Sequence, residues 1–88
     1  MVRQKVMITN PTGLHLRPAG LFCKTAMGFQ SNITFESGTT TANAKSVLSV
    51  LGACIKRGDE IDLICEGEDE KQALRKMVAI VENGLGEQ

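Results

Sequence analysis

Residues 32–43 read NITFESGTTTAN and have the pattern of a β-hairpin. Ile33 and Phe35 alternate with polar residues, and this period of two predicts a strand over residues 32–37 with one apolar face. Ser37 and Gly38 suit a tight turn into a second strand, which is predicted over Thr40–Asn43. The hairpin is therefore expected to join an N-terminal half of the chain to a C-terminal half.

The segment before the hairpin combines a strand with a helix. Residues 2–8 show the periodicity of a strand, and residues 10–13 (NPTG) are a concentrated turn signal. A helix is predicted over residues 16–28, because Ala19, Phe22, Cys23 and Ala26 recur at helical spacing. Pro18 suits the first turn of this helix, where its missing N–H costs no hydrogen bond, and a glycine at residue 28 can end it.

The segment after the hairpin repeats this pattern and adds a further helix. A short helix is predicted near residues 46–54, with an apolar stripe of Val47, Val50, Leu51 and Cys54. Alternation over residues 61–66 predicts a fourth strand. The last helix is predicted from residue 70 to about residue 83. Asp69 followed three residues later by Gln72 is a capping-box pattern, which predicts that Asp69 caps this helix.

The predicted element order is therefore β-α-β-β-α-β-α. Two strand–helix–strand units joined by a hairpin predict an α+β fold with a four-stranded antiparallel sheet in a split, ferredoxin-like arrangement, covered on one face by three helices. The other face of the sheet is expected to meet solvent. No linker or low-complexity stretch interrupts the sequence, so residues 1–88 are expected to form a single domain.

The composition argues against several classes of function. Ten basic and ten acidic residues cancel, and the only aromatic residues are three phenylalanines, so no nucleic-acid surface is expected. No apolar run approaches the ~20 residues of a membrane span, and no signal peptide is evident; we expect a cytoplasmic protein without membrane insertion. Cys23, Cys54 and Cys65 lack metal-binding or redox spacing and are expected to be reduced core residues, so neither a metal nor another cofactor is expected.

The residues that suggest chemistry lie in the segment GLHLRPAG, residues 13–20. The chain's one histidine, His15, falls at the predicted start of the first helix, where free backbone N–H groups and the helix dipole favour an anion. A neutral imidazole nitrogen can attack phosphorus, and Arg17 can hold phosphate oxygens bidentately. These residue types predict a histidine nucleophile beside an anion site. Taken alone, they are more typical of a surface histidine that helps to cap a helix.

Two separated motifs resemble one known family. Residues 13–19 (GLHLRPA) closely resemble the active-site loop of the HPr family, the histidine-containing phosphocarriers of the bacterial sugar phosphotransferase system. Residues 43–48 (NAKSVL) resemble the regulatory-serine segment of that family, and residues 67–70 (GEDE) also match its usage. The resemblance covers the whole chain. The family fold, an open-faced β-sandwich, has the element order predicted above.

The resemblance implies a phosphoryl carrier that is not itself an enzyme. His15 would accept a phosphoryl group from phosphorylated Enzyme I and pass it to the IIA domains of sugar permeases. Arg17 would stabilise the phosphoryl oxygens, and the backbone N–H groups of Leu16 and Arg17 would cap them. Ser46 would be modified by a regulatory serine kinase and phosphorylase in bacteria that have them. An apolar docking patch shared by both carrier partners would consist of Val47, Leu48 and Leu51.

Some positions leave the partners and their affinities open. Lys24 lies two helical turns after Arg17 and either extends a basic rim or is an ordinary solvated lysine. Ser46 is either a regulatory site or only a helix cap, a position that serine favours.

Leu16 stands where the family often has a small residue or threonine, and basic residues are frequent in the family at two positions that carry Met27 and Ser49 here. We expect Val47 and Leu48 to be partly exposed, because consecutive helical positions cannot all face one core.

Two other classes of function compete with a carrier. A regulatory binding module on the same fold would be expected to lack the histidine, which this chain has. A small hydrolase would need a substrate pocket and a base paired with its nucleophile, and no such partner accompanies His15 in the local sequence. A monomeric state would suit a carrier that presents one face to several partners.

Overall fold

The computed structural model describes residues 1–87. In chain order the elements are β1 (Val2–Met7), α1 (Leu16–Met27), β2 (Asn32–Ser37), β3 (Thr40–Asn43), α2 (Val47–Gly52), β4 (Glu60–Glu66) and α3 (Glu70–Glu82). The predicted order of strands and helices is confirmed. The largest difference in bounds is at the second helix, predicted over residues 46–54, because Ser46 is its N-cap and Ala53 its C-cap.

The four strands form one antiparallel sheet in the order β1-β4-β2-β3. Because β4 lies between β1 and β2, and β2 lies between β4 and β3, each strand–helix–strand unit is split by one strand of the other, as predicted. The register places Val6 opposite Ile61, and Phe35 opposite both Leu63 and Ala42. Apolar side chains of all four strands therefore share one face of the sheet.

The three helices cover that face, and the core lies between them and the sheet. Phe22 of α1 meets Phe35 of β2 edge to face, with ring centroids 5.5 Å apart, and both rings are fully buried. On the uncovered face Arg3 of β1 forms ion pairs with Asp62 of β4 and Glu36 of β2. The open-faced sandwich predicted from the sequence is therefore confirmed.

The expectation that all three cysteines are core residues is wrong for one of them. Cys23 and Cys65 are buried, and burial raises the pKa of the Cys65 thiol to about 11. Cys54 is exposed. It lies beyond the end of α2 in the left-handed region, at φ +55°, and so does not continue the apolar stripe of that helix.

The predicted capping box at the start of α3 is also wrong. Asp69 makes no capping bond with its side chain. Its carboxylate instead accepts hydrogen bonds from the Ser31 hydroxyl and from the backbone N–H groups of Gln30 and Ser31, the last two at 2.9 Å, and these bonds lower the pKa of Asp69. Glu70, and not Gln72, reaches back across the helix start and accepts from the Gly67 N–H at 3.1 Å. A tertiary contact with the α1–β2 connection has replaced the local cap.

Within residues 1–87, none of the helices combines the length and the hydropathy that crossing a bilayer requires.

Candidate functional site

His15 is the N-cap residue of α1 and has an extended backbone, with φ −92° and ψ −168°. Its side chain is exposed and makes no capping hydrogen bond, so His15 holds the cap position without the side-chain bond that a structural cap would form. The imidazole is therefore available to react.

The start of α1 presents backbone N–H groups beside this histidine. The first hydrogen bond of the helix runs from the Ala19 N–H to the His15 carbonyl at 2.7 Å, and Pro18 has no N–H. The N–H groups of Leu16 and Arg17 have no acceptor among residues 1–87. Two unpaired donors at the positive end of a helix dipole form a place where an anion is favoured.

Arg17 lies in the same exposed first turn. Within the described part of the chain its guanidinium takes part in none of the side-chain hydrogen bonds or salt bridges. All its side-chain donors therefore remain for an anion at the start of α1, where they would form charge-assisted bonds.

The loop between β1 and α1, which leads into His15, packs against the segment that follows α2. Gly13 has φ +68°, and a Cβ atom built on it would lie 2.5 Å from the Ile55 carbonyl oxygen and 2.8 Å from Cα of Lys56. This close approach allows the Leu14 N–H to donate to the Ile55 carbonyl at 3.0 Å, and the Leu14 side chain is buried. His15 is thereby placed next to the region that carries α2.

The same loop has a second anchor at the end of the chain. Buried Asn10 donates from Nδ2 to the Gly13 carbonyl at 2.8 Å and to Oε1 of Glu87 at 2.9 Å. Oε1 of Glu87 also accepts from Oγ1 of Thr12 at 2.7 Å and from its backbone N–H at 3.2 Å. The hydrogen bond from Asn10 lowers the pKa of the Glu87 carboxyl most, and the bonds from Thr12 and the charge of Arg17 lower it further. Sequence reasoning missed Glu87, because no local pattern links two residues at opposite ends of a chain.

Apolar side chains lie beside the histidine and are exposed on the first turn of α2. Leu48 is 83% exposed and Val47 41% exposed, which confirms the expectation for both residues. Leu51 is half-buried and lines a depression of about 600 Å³ together with His15, Leu16 and Cys54. Sequence reasoning assigned only the backbone of Leu16 to the site, but its side chain is 67% exposed and adds to the apolar surface. We refer to Leu16, Val47, Leu48 and Leu51 as the apolar surface.

Ser46 and Lys24 lie outside this depression. Ser46 is the N-cap of α2, and its hydroxyl accepts from the Ser49 N–H at 3.2 Å. Lys24 is exposed in the last turn of α1 and lines a different depression, together with Leu21 and Lys76. Whether Lys24 contributes to docking stays a prediction. Across residues 1–87, no group of three or more metal-ligating side chains is close enough to hold a metal ion.

Comparison with known proteins places the chain among phosphocarriers. Residues 2–83 match the family described as "PTS HPr component phosphorylation site". The chain is 42% identical to the HPr-like protein Crh of Bacillus subtilis (strain 168), over 93% of this chain and 96% of that protein. It is 38% identical to the phosphocarrier protein HPr of Haemophilus influenzae, over 92% of this chain and 95% of that protein. The crystal structure of HPr-C-His from Thermoanaerobacter tengcongensis is similar with a TM-score of 0.97 at 38% identity, covering 100% and 99% of the two chains.

Solved structures of these relatives include dimers. One is described as an HPr dimer from T. tengcongensis, and another as an intertwined, domain-swapped dimer of B. subtilis Crh. That this chain is a monomer therefore stays a prediction.

The family match includes the segment with His15, and the sheet and helices agree with those of the solved relatives. The chain belongs to the HPr family, the phosphocarrier proteins of the phosphotransferase system.

Proposed function

We propose that His15 accepts a phosphoryl group from phosphorylated Enzyme I and passes it to the IIA domains of sugar permeases. An imidazole nitrogen attacks phosphorus, the new P–N bond forms, and the bond between phosphorus and its donor group on Enzyme I breaks. Transfer to a IIA domain is the same exchange with this protein as donor. The observation that carries the proposal is the exposed His15 beside two unpaired backbone N–H groups, in a chain of the HPr family.

The groups around His15 would stabilise the transferred charge. The N–H groups of Leu16 and Arg17 would cap phosphoryl oxygens, and the guanidinium of Arg17 would bind them with charge-assisted hydrogen bonds. No cofactor is needed for this exchange, and the protein acts as substrate and donor in a relay. We place this relay in the cytoplasm, with the carrier as a monomer.

The apolar surface is the proposed docking site for both partners. Val47 and Leu48 project from the first turn of α2, and Leu51 lies beside His15 in one depression. Burying exposed apolar area is the general source of affinity between proteins, so docking here would bring the reacting groups together. Lys24, which lines a different depression, would add a positive charge outside the apolar surface.

The direct test is incubation with Enzyme I and phosphoenolpyruvate, followed by separation of the products by charge. We expect one added phosphoryl group on the protein, lost in mild acid and stable in base. Transfer to an isolated IIA domain should then regenerate the unmodified protein. If Enzyme I leaves the protein unmodified, the carrier role is refuted.

The similarity to Crh supports a second candidate, a regulatory binding protein. Crh of B. subtilis is described as a catabolite repression HPr. In this role the chain would bind a partner when Ser46 is phosphorylated, and His15 would have no part. The incubation with Enzyme I separates the two candidates, because only a carrier gains acid-labile phosphate.

Arg17→Ala is expected to slow phosphoryl transfer much more than it changes stability. Arg17 is exposed in the first turn of α1, where substitutions usually change the free energy of unfolding by less than about 0.5 kcal/mol. Loss of a hydrogen bond from a charged group costs roughly 1.5–3 kcal/mol, so transfer should slow by about tenfold or more. Phosphotransfer rates and thermal unfolding measure the two effects. Arg75→Ala, at an exposed arginine on α3, is the control, and equal rates for both variants would refute the role of Arg17.

Ser46→Asp is expected to slow phosphorylation of His15 without harming the fold. Phosphorylation of Ser46 would add about −1.5 to −2 charges at the first turn of α2, where negative charge is favoured. The charge would also lie beside exposed Val47 and Leu48 and would have to lose solvent when Enzyme I docks. We expect an equal or higher melting temperature together with slower transfer.

The control for Ser46→Asp is Thr39→Asp, which adds the same charge on the exposed β2–β3 turn. Only the Ser46 variant should slow transfer. A lower melting temperature combined with an unchanged transfer rate would show that Ser46 is only a helix cap.

A further inference from the structure

Residues 84–87, which follow the C-cap of α3, form a hook that places one carboxylate against the active-site loop. Leu85 is buried, with φ +51°, and its N–H donates to the Ile80 carbonyl at 2.9 Å. The Glu87 N–H then donates to the Gly84 carbonyl at 2.9 Å. Glu87 is therefore not a free end, and the direction of its side chain is set by the fold.

We propose that Glu87 is a positioning residue for phosphoryl acceptance: its carboxylate holds the loop between β1 and α1 in the conformation that presents His15. The inference rests on the carrier function proposed above. It assigns a role to a residue that belongs to neither the phosphate cap nor the apolar surface.

One oxygen of Glu87 accepts all three hydrogen bonds that join the hook to the loop. Two of the donors belong to Thr12 and one to Asn10, so the contact spans the turn that precedes His15. Hydrogen bonds to a carboxylate are roughly twice as strong as those between neutral groups. No other side chain among residues 1–87 bonds to these donors of Thr12.

Asn10 connects Glu87 to the residues that directly precede His15. The two N–H bonds of the Asn10 side-chain amide are both used, one by Glu87 and the other by the Gly13 carbonyl. Its Oδ1 is buried without a partner in the described part of the chain. The orientation of this amide therefore depends on its two acceptors, and removing Glu87 leaves only the Gly13 carbonyl. Gly13 directly precedes Leu14, the residue whose N–H anchors the loop to Ile55.

A loop with one anchor instead of two should spend less time in the conformation that reacts. The rate of the chemical step falls in proportion to the population of that conformation. Glu87 does not belong to the apolar surface, so the affinity for Enzyme I should be unaffected. The inference therefore predicts a fall in kcat with little change in KM.

The experiment compares the full-length protein with Glu87→Ala, Glu87→Gln and, as a matched control, Glu82→Gln, at an exposed carboxylate at the end of α3. The first measurement is hydrogen exchange of the Gly13 and Leu14 amides, neither of which bonds to Glu87. The second is the steady-state rate of phosphorylation by Enzyme I. A single charged hydrogen-bond anchor corresponds to about a tenfold change in an equilibrium.

For Glu87→Ala we expect exchange at Gly13 and Leu14 to become about tenfold faster and kcat to fall by up to about tenfold, with KM within about twofold of the parent value. Glu87→Gln keeps an acceptor oxygen without the charge and should lie between Glu87→Ala and the parent. Glu82→Gln should match the parent in both measurements.

The proposal is overturned if exchange and kcat are both unchanged, because Glu87 then holds nothing. It is equally overturned if exchange accelerates while kcat stays the same, which would make the hook purely structural, or if only KM rises. If the parent protein itself gains no phosphate from Enzyme I, the proposed carrier function fails. The exchange measurement then shows separately whether the anchor exists.

Discussion

His15→Ala is expected to abolish acceptance of acid-labile phosphate while leaving the fold intact. His15 is the one histidine of the chain, so no second imidazole can replace it as acceptor. Its side chain is exposed and makes no capping bond, and substitution of such a residue usually changes the free energy of unfolding by less than about 0.5 kcal/mol. Complete loss of function in a protein of unchanged stability is therefore the expected result.

The measurement is phosphate incorporation from phosphoenolpyruvate and Enzyme I, followed by mild acid or base. A phosphohistidine is lost in acid and survives base, whereas a phosphoserine behaves in the opposite way. Ser46→Ala is the matched control and should retain acid-labile phosphate. Acid-labile phosphate on His15→Ala would show that another residue is the acceptor.

Gly13→Ala is expected to destabilise the fold strongly, through backbone strain and a steric clash together. The residue has φ +68°, which costs a residue with a Cβ about 1–2 kcal/mol. The new Cβ would also lie 2.5 Å from the Ile55 carbonyl oxygen and 2.8 Å from Cα of Lys56. These are backbone atoms that cannot rotate away, and overpacking of this kind adds about 1–3 kcal/mol. The melting temperature should fall by roughly 10 °C or more.

Two glycines of the same chain separate the conformational part of this effect from the steric part. Gly38 has φ +60° with no atom within 4 Å of an added Cβ, so Gly38→Ala should cost only about 1–2 kcal/mol. Gly52, in α2, has ordinary helical geometry and open space, so Gly52→Ala should leave stability unchanged or slightly higher. Thermal unfolding of the three variants gives the comparison. A loss at Gly13 no larger than that at Gly38 would show that the loop can move away from Ile55.

The features that were predictable from the sequence are those with a local, periodic cause. Ile33 and Phe35 mark a strand because alternate residues point to opposite faces, and Ala19, Phe22 and Ala26 mark a helix because their spacing places them on one side. His15 could be placed at a helix start, because Pro18 belongs in a first turn. The anion site follows from that position, since the first N–H groups of any helix lack helical acceptors.

Side-chain partners at long range were not predictable in this way. Asp69 has the local pattern of a helix cap, yet its carboxylate binds the connection before β2, because the packed sheet and helices bring three donors of Gln30 and Ser31 to it. Cys54 fits a helical stripe in the sequence but lies past the end of α2 and is exposed. In both cases the local pattern is genuine, and the tertiary environment decides which interaction forms.

Interactions between close neighbours in the chain specify the order of strands and helices, the apolar face of each element and the position of His15 at a helix start. These features were readable from the sequence because each depends on residues within a turn or two of one another. The packing of the whole fold, by contrast, brings the loop before His15 into contact with Ile55. It also brings Glu87 to Asn10, which lies 77 residues away in the chain. Contacts of that kind arise only when separate elements pack together, so no local spacing in the chain encodes them.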